Sequence, residues 1–115
     1  MELVAFVSPE QGMQGQLIGV INHGDWESII LVGRTDAKNF SSKKECDFIE
    51  ITSGSIVDLK EELKKKLQEK IKGIEVALSI SSGSGKEHMA LISALLSLPV
   101  GIRFVVYTKD GLVYM

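Results

Sequence analysis

Residues 78–89 read Leu78-Ser79-Ile80-Ser81-Ser82-Gly83-Ser84-Gly85-Lys86-Glu87-His88-Met89, an apolar run that stops at small residues and a lysine and then becomes an amphipathic helical pattern. The stretch reads as strand, loop and helix. Gly83 and Gly85 let the backbone bend so that amides and the hydroxyls of Ser81, Ser82 and Ser84 converge, and the following helix directs its positive end at the same point. Lys86 has the wrong sign for that helix end unless an anion offsets it. The expectation is an anion-holding loop, with an ordinary tight turn and a surface lysine as the bland alternative.

Working outward, Leu3 to Val7 is an apolar run closed by Ser8-Pro9, and Glu10-Gln11-Gly12-Met13-Gln14-Gly15 behind it is a polar loop. Gln16 to about Asn22 carries Leu17, Ile18 and Ile21 at helical spacing. Ser28 to Val32 predicts a second strand running into Gly33-Arg34-Thr35-Asp36, and Phe48 to Ile51 a third running into Thr52-Ser53-Gly54-Ser55. The longest helix is predicted from Ser55 as cap, with Asp58 in its first turn, an apolar stripe of Val57, Leu59, Leu63, Leu67 and Ile71, and Gly73 as its stop. Val76 to Ile80 is the fourth strand, with Glu75 at its exposed start. Glu87 to Ser97 is a helix ending before Pro99, and Ile102–Tyr107 and Leu112–Tyr114 form a hairpin through Lys109-Asp110-Gly111.

Strands alternating with helices predict an α/β fold, a three-layer Rossmann-like arrangement with a mostly parallel sheet and a C-terminal antiparallel hairpin. The polar loops at Ser8–Gly15, Gly33–Asp36, Thr52–Ser55 and Ser81–Lys86 all follow strand carboxyl ends, the edge where open α/β sheets bind ligands. With 115 residues, 44% apolar and 24% charged, the chain is expected to form one domain over residues 1–115. Its first residues are too short and wrongly flanked for a signal peptide, and no run approaches the roughly 20 residues of a membrane span, so a cytoplasmic location and no membrane partner are expected.

The single Cys46 excludes an internal disulfide, and two histidines, His23 and His88, leave no metal-ligand cluster of recognisable spacing, so no metal or cofactor is expected. A net charge of −2 offers no broad basic field for a long nucleic acid. The charge run from Lys60 to Lys72, with Glu61, Glu62 and Glu69 interleaved, has the spacing of a solvated helix face.

A nucleotide-hydrolase P-loop is rejected: with Gly-Lys at 85 and 86 it needs glycine where Ile80 stands and a serine or threonine where Glu87 stands. A dinucleotide fingerprint fails because His88 occupies the place of its third glycine. On Ser8-Pro9 after the first strand, the long helix before the fourth strand, Ser82 to Met89 and the terminal hairpin, the chain resembles the CRISPR-associated Rossmann fold (CARF) family. That family carries a Gly/Thr/Ser-rich loop with lysine and a nearby methionine after its fourth strand. Its common pattern puts one residue between lysine and methionine, whereas Glu87 and His88 both intervene here.

The resemblance implies a homodimer that binds a cyclic oligoadenylate, with cyclic tetra-adenylate matching the two-fold symmetry of such a dimer. It implies a sensor domain without the nuclease or DNA-binding domain of larger relatives. Some members are similar to ring nucleases, which cleave the messenger without metal by turning a ribose 2′-hydroxyl onto the adjacent phosphate. In that mechanism Lys86 is the candidate for the charge and Ser8 for positioning, and Arg34 would hold a flanking phosphate or stack on adenine. The ligand-binding set expected is Ser8, Gln11, Arg34, Thr35, Ser81, Ser82, Gly83, Ser84, Gly85 and Lys86. His88 is expected to point away from Lys86 around the helix, His23 to sit at a helix end, Met89 to pack in the core, and Trp26 to serve as core or dimer contact. The dimer face is expected on the terminal hairpin and the helix after Lys86. A non-catalytic nucleotide-binding or protein-interaction module is the alternative.

Overall fold

The structure, a computed structural model, describes residues 1–10, 12 and 14–115. In chain order it contains β1 (Glu2–Phe6), α1 (Gly15–His23), β2 (Ile29–Gly33), a 3-10 turn at Thr35–Ala37, β3 (Asp47–Glu50), α2 (Ile56–Lys70), β4 (Glu75–Ser79), α3 (Gly85–Leu96), β5 (Gly101–Thr108) and β6 (Gly111–Tyr114). β1 and β2 are buried along their whole lengths, because helices and loops cover both faces of the parallel part of the sheet.

The six strands lie in the order β3-β2-β1-β4-β5-β6. β1 pairs in parallel with β2 on one side and β4 on the other, with Leu3 opposite both Ile29 and Ala77. Only β5 and β6 are antiparallel, with Thr108 opposite Gly111. Alternation along β1 divides the core: Leu3, Ala5 and Val7 join Leu17, Val20 and Ile21 of α1 on one face. Val4 and Phe6 join Leu59, Leu63 and Leu67 of α2 and Ala90, Leu91, Ala94 and Leu95 of α3 on the other. The result is the three-layer α/β arrangement with a C-terminal hairpin that the order of elements predicts.

Local chemistry sets the ends of the elements. Ser55 caps α2 as expected, its hydroxyl accepting from the Asp58 amide at 3.1 Å. Val57 is not in the stripe: it is 72% exposed, while Leu59, Leu63 and Leu67 are fully buried. Two positions from Leu59 is about 200° around a helix, which puts Val57 on the far side. Nor does a left-handed Gly73 stop this helix, since Gly83 and Gly111 are the residues with positive φ. α2 ends at Lys70, and the amides of Lys72 and Gly73 donate to Glu2 Oε1 at 2.8 and 2.7 Å. The other carboxylate oxygen accepts from Ser28 Oγ at 2.9 Å, so Glu2, 4% exposed, is a fully engaged buried anion joining three segments.

At the hairpin the positive φ belongs to Gly111, at +110°, the residue after the two-residue Lys109-Asp110 turn, so the Asp-Gly pair works through its glycine beyond the turn. β6 is an outer strand of the sheet, and Val113, Tyr114 and Met115 are exposed.

Candidate functional site

The strand order reverses between β1 and β4, and the loops after these two strands diverge toward opposite faces of the sheet, leaving a crevice at their carboxyl ends. Its floor is tied together by one contact. The amide of Ser8 donates to Ser82 Oγ at 2.8 Å, and both residues are buried. Gly83 follows with φ of +106°, and a Cβ there would lie 2.5 Å from Phe6 Cδ1, so the chain needs glycine on both conformational and steric grounds. His88 turns back onto this loop, Nε2 lying 2.7 Å from the Ser82 carbonyl. A carbonyl can only accept, so Nε2 carries the hydrogen.

Above this floor lies a cavity of about 260 Å³ lined by Phe6 at the end of β1, Val7, Ser8, Pro9 and Glu10 after it, Arg34 and Asp36 after β2, and Gly83, Ser84 and Glu87 after β4. Arg34 is the only basic residue among the described lining, against the carboxylates of Glu10, Asp36 and Glu87. Arg34 is also engaged: Nε donates to Glu87 Oε2 at 3.3 Å and Nη2 to the Ser53 carbonyl at 3.1 Å. The Ser53 segment is held in turn by α2. Glu62 accepts from the Thr52 amide at 3.1 Å, the Ser53 amide at 2.9 Å and Lys66 Nζ at 2.8 Å. Burial pushes the Glu62 carboxyl up, but these hydrogen bonds outweigh it and hold its pKa at about 2.

α3 begins two residues earlier than its apolar pattern suggests, because Ser84 is its cap. Ser84 Oγ accepts from the Glu87 amide at 3.3 Å while Glu87 Oε1 accepts from the Ser84 amide at 3.0 Å, a complete capping box. Ser84-Gly85-Lys86-Glu87 carries that signature in its letters. Glu87 also answers the charge argument made for Lys86: the anion that offsets the positive end of α3 is the protein's own Glu87 carboxylate.

The expected ligand residues separate into groups. Ser8, Arg34, Gly83 and Ser84 line the cavity. Ser8 is 6% exposed, and its hydroxyl accepts from the Glu10 amide at 3.3 Å. Ser82 lies beneath, its hydroxyl spent on the loop tie. Ser81 and Lys86 are exposed and stand outside the described lining. Gly85 is the first residue of α3 and a Cβ there meets nothing within 4 Å, so its place does not require glycine. Thr35 is turned to the end of β3, its hydroxyl donating to Glu50 Oε2 at 2.9 Å. Gln11 lies outside the described residues. Glu87, Glu10 and Asp36 line the cavity but stand outside the expected ligand set, although Glu10 and Asp36 lie in the polar loops expected at the sheet's carboxyl edge and the capping-box letters point to Glu87.

Of the remaining expectations, His23 is the last residue of α1, with Nδ1 3.0 Å from the Gly19 carbonyl, and Trp26 packs against the α1 side of the core while donating to the Val20 carbonyl at 3.0 Å. Met89 corrects the core reading: it is 58% exposed, because the groove it lines between α2 and α3, with Ile56, Val57 and Leu96, is uncovered. Among the described residues no group of three or more His, Cys, Asp or Glu side chains is placed to hold a metal ion, and no helix is long and apolar enough to cross a membrane.

Neither a family model nor a curated protein matches the chain. Among solved structures, the crystal structure of protein VC1899 from Vibrio cholerae is similar at 20% identity with a TM-score of 0.66, the match covering 98% of this chain and 32% of that one. The chain spans about a third of the length of that protein, and the likeness shows the fold.

Proposed function

We propose that the chain is a nucleotide-binding sensor domain that takes a cyclic oligoadenylate, in the form of cyclic tetra-adenylate, across two copies related by a two-fold axis. The observation that carries this reading is the cleft at the sheet's switch point, where loops after β1, β2 and β4 meet, with the exposed Lys86 next in the chain to the lining residue Glu87. Its volume, about 260 Å³, is below the roughly 300–1,000 Å³ of pockets that enclose drug-sized ligands. It suits one nucleoside unit, so a four-nucleotide ring would lie over the mouths of two clefts. An isologous pair supplies two such mouths in equivalent orientation. The exposed apolar residues of the α2–α3 groove, Val57, Met89 and Leu96, support self-association through that face.

Binding stands ahead of cleavage in this reading. Metal-free ring cleavage would use Lys86 for charge at the developing phosphorane and Ser8 for positioning, but Ser8 is buried and its hydroxyl already holds the Glu10 amide. A second reading, a non-catalytic nucleotide-binding or protein-interaction module, is favoured by the carboxylates in the cleft, which suit a basic or hydrogen-bond-donating group. Incubation with labelled cyclic tetra-adenylate in EDTA, read on native gels and by product analysis, separates these. Retention lost in Lys86→Ala is expected; linear products would add the nuclease activity, and no retention by the unmodified protein would overturn the tetra-adenylate reading in favour of the module.

A further inference from the structure

The charges of the cleft sort the parts of a ligand. A phosphate entering the cavity would seek the Ser84 amide, the Ser84 hydroxyl and the Arg34 guanidinium. All three already serve Glu87: Oε1 accepts from Ser84 N at 3.0 Å and from Ser84 Oγ at 2.9 Å, and Oε2 accepts from Arg34 Nε at 3.3 Å. The Glu87 side chain is 17% exposed, so it is seated in the wall and not swung into solvent. Glu10 and Asp36, both exposed, line the same space. A phosphate there would face three carboxylates and only one guanidinium, already paired, whereas hydroxyl and amino groups would find carboxylate acceptors.

We propose that the cavity receives the uncharged, hydrogen-bond-donating part of the nucleotide, its ribose hydroxyls or base amino group, on Asp36 and Glu10, and that Glu87 keeps phosphate out to the rim at Lys86. This rests on the nucleotide reading above. It makes Asp36, Glu10 and Glu87 specificity-determining residues, and it assigns the cleft the opposite polarity from an anion-cradling loop.

The test uses cyclic tetra-adenylate as probe in equilibrium titrations, with thermal melting as a fold check. Asp36 and Glu10 are exposed, so Asp36→Asn and Glu10→Gln are expected to leave melting unchanged and to weaken binding about five-fold each, the difference between a charged and a neutral acceptor. Tighter or unchanged binding in both would overturn the inference, because a phosphate in the cavity gains when a carboxylate is neutralised. Glu87→Gln keeps a side chain able to complete the cap at Ser84 and removes the negative charge that pairs with Arg34, opening the guanidinium to phosphate. Inorganic phosphate is then expected to compete with the probe more strongly in Glu87→Gln than in the unmodified protein, where it meets only the rim at Lys86; equal competition in both would also overturn it. If the unmodified protein binds no probe at all, the nucleotide reading itself fails and the inference falls with it.

Discussion

Arg34 and Glu87, 53 positions apart in the chain, meet with Nε 3.3 Å from Oε2 and so join the loop after β2 to the first turn of α3. The same guanidinium reaches the Ser53 carbonyl at 3.1 Å, and Glu62 of α2 holds Ser53 by its amide at 2.9 Å. Three crossovers are thereby linked at the carboxyl edge of the sheet. Glu87→Ala removes both the ion pair and half of the capping box and should lower stability by about 1–2 kcal/mol. Glu87→Gln should cost less than about 1 kcal/mol, since Gln can replace Glu in the box. Urea unfolding midpoints check the order; equal losses in the two variants would mean that the pair, and not the cap, carries the contribution.

Ser82→Ala should be costly for a residue so small. Its hydroxyl is fully buried and is the acceptor for the Ser8 amide at 2.8 Å, and leaving a buried amide without a partner costs about 1–3 kcal/mol. Native-state hydrogen exchange should show the Ser8 amide losing protection in this variant. Retained protection would mean that the loop has found another acceptor.

Gly83 and Gly85 look alike in sequence and should respond oppositely to alanine. Gly83→Ala meets a φ of +106° and Phe6 Cδ1 at 2.5 Å, and the combined strain and overpacking should cost at least about 2 kcal/mol. Gly85→Ala meets nothing within 4 Å at the first helical position and should be neutral or stabilise by up to about 1 kcal/mol through the unfolded chain. Thermal melting of the pair decides it, and destabilisation of similar size in both would contradict the helix start at Gly85.

These two glycines mark where sequence reading works and where it stops. Strands were legible because a strand buried on both faces is a continuous apolar run: Leu3–Val7 against β1 (Glu2–Phe6), and Val76–Ile80 against β4 (Glu75–Ser79). The Ser55 cap was legible because its partner, Asp58, is three residues away. The Arg34–Glu87 pair was not, because it exists only once the sheet order brings β2 and β4 on either side of β1. Met89 reads as core yet is exposed, because helical periodicity shows an apolar residue without showing whether any neighbour covers it. The Ser-Gly loop reads as waiting for an external anion until Ser84 is recognised as the helix cap, which makes Glu87, three residues beyond it, the internal anion at that helix end.

Glu2→Ala should destabilise more than any surface glutamate change. The carboxylate takes the amides of Lys72 and Gly73 at 2.8 and 2.7 Å and Ser28 Oγ at 2.9 Å, so its removal strands three donors in a nearly closed space, at an expected cost of about 2–4 kcal/mol. Glu2→Gln, which keeps an acceptor oxygen, should retain part of that. Urea unfolding of both variants checks the ranking, and a loss below about 1 kcal/mol in Glu2→Ala would show that water replaces the carboxylate.

Acid should loosen the Thr52-Ser53 segment through Glu62. Its carboxyl has an ordinary value of 4.5, and although burial raises it, hydrogen bonds from Lys66, Ser53 and Thr52 bring it to about 2 in the folded chain. The folded group therefore binds its proton less readily than the unfolded one. Its stabilisation is fully present above the unfolded value and is lost as pH falls from about 4.5 toward 2. Discounted for solvent screening at a side chain that is 13% exposed, the contribution should be about 1–2 kcal/mol. Glu62→Gln should lie below the unmodified protein at neutral pH and converge with it near pH 2. Parallel curves across that window would place the acid sensitivity on another carboxylate. Because Ser53 carries the acceptor for Arg34 Nη2 only, loss of the Glu62 clamp should loosen that contact while the Nε–Glu87 pair remains, so ligand affinity at neutral pH should change little in Glu62→Gln, α2 contributing no lining residue to the cavity.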